Sequence, residues 1–130
     1  MIVCTTENVA GFRVTQVLGP AFGLTVRSRG LGGNIAASFK SFTGGEVKSY
    51  VKLLEDARKQ ALDRLVETAT AMGGNAVTMM RYDSSEIGQT FSEIVAYGTA
   101  VVVEPVPGAV GATDPALAGQ MPPALHSGDA

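Results

Sequence analysis

Residues 44–103 decide the fold, and they read GGEVKSYVKLLEDARKQALDRLVETATAMGGNAVTMMRYDSSEIGQTFSEIVAYGTAVVV. From Val47 to Met72, apolar side chains recur every three or four positions, with charged side chains between them. This spacing predicts an amphipathic helix that begins at Glu46. Gly73-Gly74 predicts its end, because glycine adopts the left-handed backbone of a helix C-cap at little steric cost. At 1.5 Å per residue the helix would be roughly 40 Å long, enough to cover one face of a small sheet.

Two β-strands are predicted directly after the helix, at Ala76–Asp83 and Phe91–Val103. Along the second strand the small residues Ala96, Gly98 and Ala100 share one face, which suits a closely packed helix. The opposite face of this strand is also largely apolar and consists of Phe91, Glu93, Val95, Tyr97, Thr99, Val101 and Val103. Because one helix covers only one face of a sheet, we expect another copy of the chain to bury the second face.

A charge introduced on the outer sheet face and a charge introduced on the inward face of the helix should have different effects. An aspartate in place of Val95 or Val101 would dissociate the assembly, because the charge would be unpaired in the interface. An aspartate in place of Leu54, on the inward face of the helix, would unfold the subunit.

The N-terminal part of the chain supplies further strands. Runs rich in β-forming residues occupy Ile2–Thr5, Phe12–Leu18 and Phe22–Arg27, and Gly19-Pro20 between the last two predicts an edge position, a bulge or a bend. A short helix is predicted at Ile35–Phe42. The sequence therefore predicts an α+β fold of two layers, with one long helix packed on an antiparallel sheet.

The composition limits the classes of function. The chain has 130 residues, enough for one domain, with 45% hydrophobic residues and a net charge of -2. This balance argues against a nucleic-acid or anionic-membrane surface, which needs clustered Lys and Arg. There is one cysteine, and we find neither a signal peptide nor an apolar run long enough to span a bilayer. We expect a soluble cytoplasmic protein.

The composition changes after Glu104. Residues 105–130 contain five of the six prolines and show no hydrophobic periodicity, so they are predicted to be a disordered Pro/Gly/Ala-rich tail after a domain at 1–104. The only histidine, His126, lies in this tail. The domain therefore lacks an imidazole for a catalytic base or a zinc site, which argues against an enzyme. The Pro122-Pro123 pair leaves open a scaffold that recruits a partner through its tail.

Sulfur offers one possible metal site. Cys4, together with methionine side chains, could bind a soft heavy-metal ion, although a lone cysteine beginning a strand is most often a small buried hydrophobe. No CxxC motif or Cys/His cluster accompanies it.

The glycine-rich stretch from Arg27 to Asn34 resembles neither a complete Rossmann fingerprint nor a Walker loop. Its backbone N–H groups and two guanidiniums could hold a small anion, or the arginines could pair with acids of a neighbouring subunit. Asp83 and Glu93 could form structural salt bridges or contact a ligand. The candidates for ligand or interface contacts are Arg27, Arg29, Asn34, Glu46, Asp83, Glu93 and Tyr97, and the candidate metal ligand is Cys4.

Several blocks of the chain, in order, resemble the YbjQ-like family, whose domain is described as "putative heavy-metal-binding". They are Thr5-Thr6, Val26–Arg29, Gly33–Ile35, Gly44–Glu46 with Tyr50, Ala57-Arg58, Gly74–Val77, Tyr82-Asp83 and Glu93–Val101. The resemblance covers about residues 1–104. It implies a subunit similar to that of dodecin, assembly into pentameric rings that stack in pairs, and no established enzymatic activity. Leu18 stands where members of that family can carry a cysteine, which counts against metal binding here.

The sequence thus predicts a non-catalytic, homo-oligomeric cytoplasmic module that binds an ion or small ligand between subunits, and the resemblance implies five or ten copies. The alternatives are a heavy-metal-binding protein that uses Cys4 and methionines, a scaffold, and an enzyme of unrecognised type.

Overall fold

The computed structural model describes residues 1–28, 44–109 and 111–119. Its elements are β1 (Ile2–Val3), β2 (Phe12–Ser28), α1 (Gly44–Ala71), β3 (Ala76–Ile87) and β4 (Phe91–Pro105). The predicted short helix at Ile35–Phe42 lies outside the described residues. No helix in the described ranges is both long and apolar enough to cross a membrane.

The four strands form one mixed sheet in the order β1-β3-β4-β2. The prediction of an antiparallel sheet is wrong at one edge, because β1 pairs with β3 in parallel, through Ile2 with Ala76 and Val3 with Val77. The chain passes through β2 and α1 before β3, and such a crossover can place two strands in parallel. β2 and β3 both pair with β4 in the antiparallel sense. Pro20 lies in β2, an edge strand, as its missing N–H requires.

Helix α1 packs on one face of the sheet, as predicted. Ala61, Leu65 and Ala69 are buried against Ala96 and Ala100 of β4. The approach is closest at Gly23 of β2, where an added Cβ would collide with the backbone of Ala61 and Leu65. Small residues on both sides therefore allow the helix backbone to lie directly on the sheet.

The same close approach corrects the predicted inward face of the helix. Leu54 is 41% exposed and Arg58 is also exposed, whereas Ala57 and Ala61 are buried. The inward stripe is centred on small residues four apart, because larger side chains there would hold the helix away from Gly23. Leu54 is thus no core residue, and the expectation that Leu54→Asp unfolds the subunit loses its basis.

The glycine pair ends α1 as predicted. Gly73 has a φ of 92°. Its N–H donates to the carbonyl of Thr70 at 3.0 Å, and the Gly74 N–H donates to the carbonyl of Ala69 at 2.9 Å. These two bonds form a Schellman motif, which satisfies carbonyls that the helix leaves without partners.

A second hydrophobic cluster covers part of the opposite sheet face, and it corrects a prediction. Val101 and Val103, assigned above to an intermolecular interface, are only 2% and 3% exposed within this chain. They pack with Ile2 and Val9, and Ala118 contacts the same cluster. An aspartate in place of Val101 would therefore disrupt the subunit itself.

Part of the segment predicted as a tail lies on the domain. The Val106 N–H donates to the carbonyl of Gly11 at 2.8 Å, and the Thr113 N–H donates to the carbonyl of Ala10 at 2.7 Å. These bonds explain how Ala118 reaches the second cluster. Residues 120–130, which include His126, lie outside the described residues.

Candidate functional site

A cleft of 540 Å³ lies where α1 crosses the edge of the sheet formed by β1 and β3. Its apolar lining comes from Val3, Leu62, Met80 and Tyr82. Leu62 belongs to the core between helix and sheet, and the other three side chains are partly buried against that core. The turn after β1 and one stripe of α1 supply the polar lining. Most ligand sites have a concave, mainly apolar surface with a few polar groups, and this cleft fits that description.

A β-bulge in β3 shapes one wall of the cleft. Thr78 pairs with Thr99 and Arg81 with Tyr97, so β3 has one residue more than β4 between these pairs. The bulge contains Met79 at a φ of 56°, an uncommon conformation for a residue with a side chain. As a result Met80 turns toward the helix, while Met79 is 44% exposed.

The bulge is fixed to the turn that follows β1. The Met79 N–H donates to the carbonyl of Thr6 at 3.1 Å, and the Met80 N–H donates to the carbonyl of Cys4 at 3.0 Å. The Arg81 guanidinium donates to the carbonyl of Thr5 at 2.9 Å. Three consecutive carbonyls are thereby held by three consecutive residues of β3, which makes this corner of the cleft a fixed structure.

Two charged residues of α1, Glu55 and Arg58, line the cleft one helical turn apart. The Arg58 guanidinium lies over the Tyr82 ring, with 5.2 Å from Cζ to the ring centroid. Burial raises the pKa of Tyr82, an effect that the Arg58 charge opposes and the Asp63 charge reinforces. Tyr82 therefore presents a neutral phenol, able to donate a hydrogen bond, at neutral pH.

The cleft also contains the chain's single cysteine. The Cys4 thiol lies 3.5 Å from the carbonyl oxygen of Thr6 and 3.7 Å from that of Val77, both long hydrogen bonds from sulfur. Met80 lines the same cleft and adds a thioether. Within residues 1–28, 44–109 and 111–119, no group of three or more His, Cys, Asp or Glu residues could hold a metal ion.

Within one chain, the described candidate residues lie on different faces of the sheet. Asp83 pairs with Val95 and Glu93 with Ser85, so these acids lie with Tyr97 on the sheet face opposite α1. Arg27 is two residues from Thr25, whose hydroxyl hydrogen-bonds Gln60 of the helix at 3.2 Å, and it lies on the helix face. The sheet thus separates Arg27 from the two acids.

Other candidates are only partly placed. Arg27 has a buried Nε that lacks a hydrogen-bond partner among the described residues. Glu46 lies in the first turn of α1. Arg29 and Asn34 lie outside the described residues.

The cleft itself was missed by sequence reasoning. Glu55, Arg58 and Leu62 are spaced three and four apart, which indicates one helical stripe. The bulge that turns Met80 toward this stripe has no glycine or proline to predict it, and strict alternation would place Met79 there instead.

The sheet face opposite α1 remains uncovered beyond the second cluster. We call Phe22, Leu24, Val26, Val95 and Tyr97 the open-face patch, since cross-strand pairing places all five on that face. Phe22 is 58% exposed and Tyr97 is 43% exposed. Large apolar side chains grouped in this way are typical of an interaction surface.

Comparison with known proteins identifies the family of this chain. The family model YbjQ_1, described as "Putative heavy-metal-binding", matches residues 1–104. The chain belongs to this family. A UPF0145 protein of Bradyrhizobium sp. (strain ORS 278) is 64% identical over 105 residues, which cover 81% of this chain and 95% of that protein. A UPF0145 protein of Picrophilus torridus is 57% identical over 106 residues, covering 82% and 90% of the two chains.

A solved structure is similar in fold. It is a protein of unknown function from Pediococcus pentosaceus, assigned to the DUF74 family, with a TM-score of 0.53 and 14% sequence identity. The match covers 80% of this chain and 98% of that one. At this identity the likeness supports the α+β fold alone, with one helix packed on a four-stranded mixed sheet.

Proposed function

We propose that this YbjQ-family protein is a non-catalytic cytoplasmic module that assembles with copies of itself and holds an ion or small ligand. The open-face patch is the observation that carries this proposal. One sheet face is covered by α1 and part of the other by the second cluster, and the patch is apolar surface of the sheet that neither of them covers. Burying a large apolar side chain contributes about 1.5–3 kcal/mol, and self-association would bury several.

The proposed assembly is a ring of five subunits, or two such rings stacked, as the resemblance to the YbjQ-like family suggests. A ring requires two different surfaces on each subunit that fit each other. The open-face patch and the outer backbone edge of β2 are the surfaces we assign to this contact. Arg27, Arg29, Asn34, Glu46, Asp83, Glu93 and Tyr97 remain the candidates for contacts between subunits.

Light scattering after size-exclusion chromatography tests the assembly with two matched variants. Phe22→Asp places a charge in the open-face patch, and we expect it to yield folded monomers. Leu53→Asp places the same charge at an exposed apolar position on α1, and we expect it to leave the assembly intact. A Phe22→Asp protein that elutes like the wild type would contradict the assignment of this face.

A second candidate function is heavy-metal binding, because Cys4 and Met80 line the same cleft. A thiolate and a thioether are ligands that Cu(I) prefers. We expect Cys4→Ser and Met80→Leu to reduce the Cu(I) bound per chain, measured by competition with a chromophoric chelator. Met79→Leu is the matched control, because the Met79 side chain is exposed at the bulge. Equal copper uptake by all three variants would exclude this site.

A further inference from the structure

The cleft between α1 and the β1–β3 edge has features that point to an organic ligand. Val3, Leu62, Met80 and the Tyr82 ring provide an apolar wall. Its 540 Å³ falls within the range of about 300–1,000 Å³ that is usual for small-molecule sites. A flat ring could lie on this wall and displace water from it.

Arg58 supplies a cation at this wall. Its guanidinium lies over the Tyr82 ring, with 5.2 Å from Cζ to the ring centroid, a distance typical of a cation–π contact. The ion pairs among the described residues join Arg13 to Glu104, Lys52 to Asp56 and Lys59 to Asp63, and none of them includes Arg58. The planar guanidinium group of arginine is suited to two parallel hydrogen bonds with a carboxylate.

We propose that this cleft binds a small aromatic monocarboxylate, with the carboxylate on Arg58 and the ring on the apolar wall. The site lies within a single chain, so it goes beyond the proposed assembly and does not depend on it.

Glu55 adds a negative charge to the lining of the cleft. Its carboxylate lies one helical turn from Arg58. Because the Glu55 and Arg58 charges offset each other, a ligand with two negative charges gains little extra attraction over one with a single charge, and it loses more hydration on binding. We therefore expect monocarboxylates to bind more tightly than phosphate monoesters of the same shape.

Phenylacetate is the probe for this proposal, with 2-phenylethanol as the neutral analogue and phenyl phosphate as the dianion. Titration of the full chain, followed by the methyl NMR signals of Met80 and Leu62, should show saturable shifts with phenylacetate and weaker binding of both analogues. Arg58→Gln should weaken phenylacetate binding at least about tenfold, since a charge-assisted hydrogen bond is lost. Lys59→Gln, the adjacent position on α1 and outside the cleft lining, should leave it unchanged.

Two further variants separate this proposal from the others. Phe22→Asp should retain phenylacetate binding, so that failure of the assembly and failure of this site are distinct results. Removal of residues 120–130 tests the chain itself as the occupant, because the chain continues from Gly119 at the margin of the cleft.

The proposal is overturned by any of three results. They are no saturable shifts at millimolar phenylacetate, equal binding by the Arg58→Gln protein, and binding that appears only after residues 120–130 are removed. The last result would assign the cleft to the C-terminal residues of this chain.

Discussion

At the scale of single residues, one glycine determines how the two layers meet. A Cβ at Gly23 would overlap the backbone of α1 at Ala61 and Leu65. We expect Gly23→Ala to lower the free energy of unfolding by about 3 kcal/mol, at the upper end for overpacking, because backbone must move. Gly73→Ala is the comparison. Gly73 has nothing within 4 Å of an added Cβ, so only its left-handed φ is strained, at about 1 kcal/mol. Urea denaturation measures the free energy of unfolding of both variants. Equal losses in the two would contradict the close approach of α1 to Gly23.

Val101 belongs to the core of a single subunit, and a charge at this position tests that assignment. It is buried with Ile2 and Val9 inside one subunit. Val101→Asp should therefore unfold the protein or lower its thermal midpoint strongly, because an unpaired charge would be buried. Leu54→Asp, at an exposed position, should leave the thermal midpoint nearly unchanged. Circular dichroism during heating separates the two, and a folded Val101→Asp monomer would show that this valine belongs to an interface.

Because the pKa of Tyr82 is raised in the folded protein, the protein should become less stable at alkaline pH. Burial is the main cause that raises its pKa above the value of 10.0 in the unfolded chain. Near and above pH 10 the unfolded chain loses this proton more readily than the folded one, so the free energy of unfolding falls as pH rises. We expect Tyr82→Phe to flatten this part of the stability profile between pH 9 and pH 11. An unchanged slope in the variant would contradict a shifted phenol.

At the scale of elements, the bulge in β3 depends on the conformation of Met79. Its left-handed φ is compatible with an unbranched side chain and poorly compatible with a β-branched one. Met79→Ile should lower the free energy of unfolding by about 1–2 kcal/mol, whereas Met79→Leu should be nearly neutral. Chemical denaturation of the two variants tests this, and equal stability would indicate a regular strand at this position.

How far the elements could be predicted depends on how local their signals are. The helix end at Gly73-Gly74 and the small residues of β4 were predicted because capping and alternation act over a few neighbouring positions. The parallel pairing of β1 with β3 could not be predicted in this way, because it joins Ile2 to Ala76, which are far apart in the sequence.

The candidate site was harder to predict for the same reason. Arg27 and Glu93 were grouped by their charge, but the sheet lies between them. The cleft joins the turn after β1, a stripe of α1 and a bulge in β3, and only the fold brings these together.

At the scale of the whole molecule, the two faces of the sheet are covered to different extents. One face carries α1. The other is covered at one end by residues of the first turn and of 111–119, which leaves the open-face patch at the other end. The subunit therefore has a buried core and an exposed apolar patch, and this patch is the basis of the self-association that we propose.

Native mass spectrometry of the full chain, purified without chelators, tests the self-assembly most directly. We predict a defined homo-oligomer, with five or ten copies as the proposed ring requires, and monomers for Phe22→Asp measured in the same buffer. Extra mass on the oligomer would report a bound ion or ligand. A wild-type protein that is monomeric at micromolar concentration would contradict the central claim, because the open-face patch would then be exposed without a partner copy.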